Sequence, residues 1–174
     1  CLELSRESTQ KDRAAAGLIR QFGSAVRWEG KALETSGGPL TGVTVIDARE
    51  IPDIVPVLAV VAAYARGETL FENAARLRLK ESDRLESTAS MIRALGGNAR
   101  EETNRLVVTG GVPLEGGPVD CRGDHRIAMA GAIAALGCRK ETTLLGAEAV
   151  NKSYPSFFQD YRLLGGDCDV VNDG

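Results

Sequence analysis

The chain has 174 residues, of which 43% are hydrophobic and 26% charged, the composition of a globular protein long enough to bury a core. Its 21 basic and 24 acidic residues leave a net charge of -3, so no overall basic field exists to hold nucleic acid as a partner. Cys1, Cys121, Cys138 and Cys168 form no C-x-x-C pair and there is one histidine, which disfavours a zinc quartet or a disulfide framework and points to a reducing, cytoplasmic setting.

In chain order, DRAAAGLIRQFG at 12–23 predicts an amphipathic helix ending at glycine, and SAVRWEG at 24–30 a strand. KALETSGGPLTG at 31–42 reads as a Gly/Pro-rich turn and GVTVIDA at 42–48 as a second strand. IVPVLAVVAAYA at 54–65 is apolar on every face, which predicts a buried helix, and TLFENA at 69–74 completes the unit with a third strand. The same pattern returns about 73 positions later: helix DRLESTASMIRALGG, strand NAREETN, turn RLVVTGGVPLEGG, strand PVDCRG, the buried helix 127–137, and strand TTLLGA. EETNRLVV carries a hairpin signal, and YPSFFQDYRLLGGD opens a third copy, a helix-strand remnant. The apolar runs, about a dozen residues each, are too short to cross a bilayer, so no membrane partner is expected. The expected class is α/β (α+β): two repeated units in one domain, 1–174, with mixed sheets around buried helices. A chain that opens on Cys1 and CLEL, which reads as the end of a strand, is expected to be part of a longer protein.

The helix starts carry the chemistry. Pro52 suits a first helical position, with Asp53 beside it at the edge of an uncharged helix. Asp83, with Glu86 three residues on, reads as a capping box, placing Lys80 and Glu81 in the entering turn and Arg84 in the first turn. Asp124 is a natural N-cap followed by His125 and Arg126, and Pro155 as a first helical residue puts Lys152 in the turn before it. A cation at a helix N-terminus opposes the dipole. Either Arg84, Arg126 and Lys152 converge on a bound phosphate or carboxylate, or each pairs locally, Arg84 with Glu81 or Asp83 and Arg126 with Asp124. Asp53 is either a site acid or one satisfied by N–H groups, and His125 a first-turn residue bonded to Asp124. Cys121 has no second histidine to activate it, and the glycine-rich stretches lie between β-runs, where they serve as turns.

RLRLKESDRL, with IPD upstream, GDHRIAMA downstream and NKSYPSFF near the end, resembles the C-terminal half of the EPSP synthase family over essentially all 174 residues. The resemblance implies a βαβαββ repeat within a two-domain fold and a transferase that moves the enolpyruvyl group of phosphoenolpyruvate to shikimate 3-phosphate, on the way to chorismate and the aromatic amino acids. It implies no metal and no organic cofactor. By resemblance, Asp53 accepts the proton of the attacking hydroxyl, Lys80 binds shikimate 3-phosphate, Glu81 passes a proton to the methylene carbon, Arg84, Arg126 and Lys152 bind phosphoenolpyruvate, and His125 stands close to the reacting groups. It also implies that an N-terminal domain, absent from this sequence, supplies the other wall of the site, so that this chain alone is inactive; a monomer is expected. Arg76 departs from the pattern, standing where many members carry an Asn that contacts the shikimate. Two rivals are a UDP-N-acetylglucosamine enolpyruvyl transferase domain and a non-catalytic phosphate- or RNA-binding module of the same unit; the KESDR and GDHR strings weigh against the first, the net charge against the second.

Overall fold

A computed structural model of the chain describes residues 1–43 and 45–171; Thr44, inside the expected strand 42–48, and residues 172–174 lie outside the described residues. A 3-10 segment, Lys11–Ala14, runs into α1 (Ala15–Gln21), and β1 (Ala25–Glu29) and β2 (Ala32–Ser36) follow as an antiparallel ribbon. β3 (Val45–Asp47), α2 (Val55–Tyr64) and β4 (Gly67–Glu72) complete the first unit. A 3-10 turn at Ala74–Leu79 leads into α3 (Arg84–Ala94), β5 (Asn98–Glu101), β6 (Leu106–Gly110), β7 (Pro118–Asp120), α4 (His125–Ala135) and β8 (Thr143–Leu145). A second such turn, Ala147–Lys152, precedes α5 (Phe157–Leu163).

The sheets are mixed, as the repeat predicts. β3 runs parallel to β4, and β4, β6 and β5 pair antiparallel in the order β3-β4-β6-β5. β7 and β8 form a separate parallel pair. α2, uncharged along its length, packs against α3, α4 and β6, and Tyr64 Oη at its end donates to the Ala134 carbonyl at 2.6 Å. Burial is not uniform around these helices, because Val57 on α2, Ile133 on α4 and Leu136 just beyond it reach the surface. Among the described residues no helix is long and apolar enough to cross a membrane.

Three local expectations need correction. The segments 31–42 and 105–117 are turns only in their second halves, because Ala32–Ser36 and Leu106–Gly110 fold back as strands on β1 and β5. The hairpin at 101–106 is closed by the Glu102 N–H donating to Arg105 O at 2.8 Å. Both prolines expected at first helical positions fall upstream. Pro52 sits in a turn closed by Ile54 N–H to Ile51 O, leaving Pro56 to occupy the first turn of α2, and Pro155 sits in a turn closed by Phe157 N–H to Tyr154 O. The strand half of the terminal remnant does not form among the described residues after α5.

Candidate active site

The site is built where two helix starts meet. Asp83 caps α3 by accepting the Glu86 N–H at 3.1 Å, which makes Arg84 the first helical residue. Asp124 caps α4 by accepting the Arg126 N–H at 2.9 Å. The reciprocal arm of the capping box is absent, because the Glu86 carboxylate accepts from Arg122 instead. Arg84 bridges the two starts, donating from Nε and Nη2 to the two oxygens of Asp124 at 2.9 and 3.1 Å. Two further donors go to Asp53 Oδ1 at 2.7 Å and to Glu81. The guanidinium is 1% exposed and Asp124 is fully buried.

A buried charge persists only when it is paired and hydrogen-bonded, and this one is surrounded by acids. Desolvation pulls Arg84 toward the neutral form, but Asp124, Glu81 and Asp53 outweigh it and hold the cation. Asp124 is pushed up by burial and pulled down further by Arg84 and the Arg126 N–H, so it stays ionised. Burial likewise raises Asp53, and Lys80 at 3.0 Å together with Arg84 brings it below the ordinary carboxylate range. His125 is lowered chiefly by burial, with Glu81 opposing, which leaves the imidazole neutral at pH 7. Its Nδ1 lies 3.8 Å from Glu81 Oε1 and has no hydrogen-bond partner among the described residues.

Beside this cluster opens a concavity of about 490 Å³ lined by Asp53, Lys80, Arg126, Arg76, Lys11 and Gln10 among others. Arg126 Nε is itself buried and unpartnered among the described residues, whereas Arg76 Nη1 donates to the Arg49 carbonyl at 3.3 Å. Lys152, the last residue of its 3-10 turn, donates to Gly123 O at 2.9 Å in the loop before α4. The fold thus brings Asp53, Lys80, Glu81, Arg84 and His125 into one network, with Arg126 on the same concavity and Lys152 against the loop that leads to it. In this structure Arg84 is spoken for by carboxylates, one of which, Glu81, was an expected local partner. Asp83 is instead bound by Arg78 at 2.6 Å, and the Arg126 side chain, unlike its N–H, leaves Asp124 alone.

Sequence reasoning gave Asp124 only a capping role and missed it as the main partner of Arg84, steadied by Ser82 Oγ donating at 3.0 Å. The available signal was an acid preceding an apolar helix, with an unexplained arginine at the other helix start. Cys121 is buried and its thiol is pushed up to about 12 by desolvation, which disqualifies it as a nucleophile at neutral pH. Among the described residues no group of three or more His, Cys, Asp or Glu stands together to hold a metal. The arrangement can do proton transfer through Asp53 and Glu81 beside a seat for an anion at Arg126 and Lys80.

Comparison with known proteins identifies the family. The model of the EPSP synthase (3-phosphoshikimate 1-carboxyvinyltransferase) family matches residues 1–161. The chain is 43% identical over 167 residues to a 3-phosphoshikimate 1-carboxyvinyltransferase of Clostridium acetobutylicum, covering 96% of this chain and 38% of that protein. A protein of the same name from Aeropyrum pernix is 43% identical over 166 residues, covering 95% of this chain and 38% of its own length. Among solved structures, an EPSP synthase of Acinetobacter baumannii superposes with a TM-score of 0.77 at 27% identity, over 90% of this chain and 39% of that one. The chain therefore spans well under half the length of the relatives it matches.

Proposed function

The chain belongs to the EPSP synthase family, and from that premise we propose that it forms one wall of an enzyme that transfers the enolpyruvyl group of phosphoenolpyruvate to the 5-hydroxyl of shikimate 3-phosphate with release of phosphate. The observation that carries the reading is the meeting of Asp53, Lys80, Glu81, Arg84 and His125 in one network, beside a concavity lined in part by Arg126, whose Nε has no hydrogen-bond partner among the described residues. Both substrates are polyanions, and a site of fixed cations neutralises them in a geometry that needs no reorganisation as charge moves.

Asp53, ionised at neutral pH, takes the proton of the 5-hydroxyl as its oxygen attacks C2 of the enolpyruvyl group, while Glu81 passes a proton to the methylene carbon. The resulting tetrahedral adduct collapses when the C2–O bond to phosphate breaks, the departing phosphate takes the proton held by Asp53, and the methyl group returns a proton to Glu81. Lys80 holds the acceptor, and Arg126 and Lys152 hold the donor once Lys152 exchanges the Gly123 carbonyl for it. Arg84 serves the donor through the acids it orients, and the neutral His125 lies next to Glu81. The missing wall belongs to a further domain, making residues 1–174 the partial C-terminal domain of a monomeric, cytoplasmic enzyme of the shikimate pathway.

The test is phosphate release from both substrates by the purified chain, alone and mixed with the separately expressed N-terminal part of the Clostridium acetobutylicum relative. We expect no turnover alone, because the cations then face water at high dielectric, and turnover on mixing. Turnover by the chain alone, or shikimate 3-phosphate binding that survives Lys80→Ala, overturns this reading.

A further inference from the structure

We propose that Glu86 and Arg122 form a positioning brace that holds the start of α4, and with it His125 and Arg126, against the start of α3. The inference rests on the proposed function only for its kinetic consequence.

Arg122 has φ +52° and Gly123 φ +64°, two consecutive left-handed residues between β7 and α4. A glycine adopts this conformation freely, whereas an arginine pays for it in crowding at Cβ. The side chain accounts for its presence. Both Nη atoms of Arg122 donate to the two carboxylate oxygens of Glu86, in the first turn of α3, a two-pronged contact with directional hold. The backbone of the same loop is tied at three further points. Asp120 Oδ1 accepts the Arg122 N–H at 2.8 Å, the Asp124 N–H donates to Cys121 O at 2.9 Å, and Lys152 Nζ donates to Gly123 O at 2.9 Å. Arg84 and Asp124 join the two helix starts in the interior. The Glu86–Arg122 pair, partly exposed, joins them at the surface, so the loop is gripped from both sides. Without the outer grip, Asp124 keeps its buried partner but the first turn of α4 is free to tilt.

His125 is the only histidine in the chain, so its ring proton signal reports the tilt directly. It is 7% exposed and is faced by Glu81, Arg126, Asp124 and Arg84. In Arg122→Gly the backbone strain is relieved, so the melting temperature stays equal or rises while the brace is lost. In Glu86→Gln the capping N–H remains while the charge goes. In both, the His125 titration, followed by NMR on the 174-residue chain, moves up toward about 6.5 as the ring gains water. The exchanged pair Glu86→Arg/Arg122→Glu brings it back down. A titration unchanged in both single variants, or one that shifts only in proportion to a falling melting temperature, overturns the brace. In the mixed enzyme, the donor KM rises about three- to fivefold, the scale of a partly exposed ion pair, with the acceptor KM unchanged; equal rises in both count against it. If the unaltered mixture fails to turn over, the functional reading fails, and the histidine titration still decides the brace.

Discussion

The two repeated units share local conformation at several equivalent positions and differ in what they do with it. Asp47 accepts the Arg49 N–H at 3.0 Å, and 73 residues on Asp120 accepts the Arg122 N–H at 2.8 Å. Asn73 and Gly146 are both left-handed, and each introduces a six-residue 3-10 turn. The helical segment Lys11–Gln21 corresponds to Arg84–Ala94. Yet α1 buries none of its residues, whereas α3 buries Arg84, Leu85, Met91 and Ile92 among others. β1 and β2 stand apart as a ribbon, while β5 and β6 extend the sheet begun by β3 and β4. Equivalent places even carry opposite charge: Asp53 before α2, Arg126 at the start of α4. A repeat conserves backbone geometry, and each copy's neighbours decide which side chains are desolvated and hence chemically useful.

The sharpest contrast to break is that last one. In the mixed enzyme, Asp53→Asn is expected to lower turnover by about 10²- to 10⁴-fold with substrate affinities within about tenfold, because shape is kept and basicity removed. Arg126→Ala is expected instead to weaken donor binding by roughly tenfold or more through loss of a charge-assisted contact. Near-normal turnover in the Asn variant would reduce Asp53 to a structural partner of Arg84.

Arg84 and Lys11 open corresponding helical segments in opposite environments. Removing the buried arginine leaves Asp124 uncompensated, and Arg84→Ala should cost about 3–5 kcal/mol in denaturant unfolding. Lys11, exposed and paired with Glu50 at 3.3 Å, should be replaceable by alanine within about 0.5 kcal/mol. Comparable losses would mean that the first unit is as tightly coupled as the second.

Gly37 and Gly110 occupy the same place in the repeat. A Cβ on Gly110 would sit 2.1 Å from Ala62 O and 2.2 Å from Ala65 O, where α2 ends against β6, but one on Gly37 meets nothing within 4 Å. Gly110→Ala should therefore cost about 3 kcal/mol or fail to fold, and Gly37→Ala should be close to neutral, as read from unfolding midpoints.

The smallest effect is with pH. His125 titrates below 6.5 in the fold, so its contribution to stability is present above about 6.5 and is lost as pH falls through its lowered value. Asp53 and Asp124 also titrate below their ordinary value of 3.8, so their contribution is full above that value and lost only at lower pH. Urea unfolding across pH should decline in two stages, and His125→Asn should remove the upper one. A single acidic stage in the parent chain would place the imidazole in water.

Much of this was legible in the amino-acid order because it is local. The runs 54–65 and 127–137 have no charged group to keep at a surface, and Asp83 and Asp124 satisfy N–H groups two or three positions away, so the buried helices and the caps of α3 and α4 follow from spacing alone. The motif strings likewise named Asp53, Lys80, Glu81, Arg84 and His125, which meet in one network. What only the tertiary structure decided is who holds whom. Arg84 and Asp124 are 40 positions apart, and Arg84 and Asp53 are 31 apart, so no periodicity joins them. Glu86 abandons its own cap for Arg122 because a folded neighbour supplies a stronger, charged partner. Strand β6 looked like a turn because its end carries glycines, of which Gly110 lets α2 approach and Gly111 takes a φ of +90°. Local rules set each segment's shape, but the pairing of buried charges is fixed by the cost of leaving any one of them alone away from water, a cost that arises only once the segments have packed.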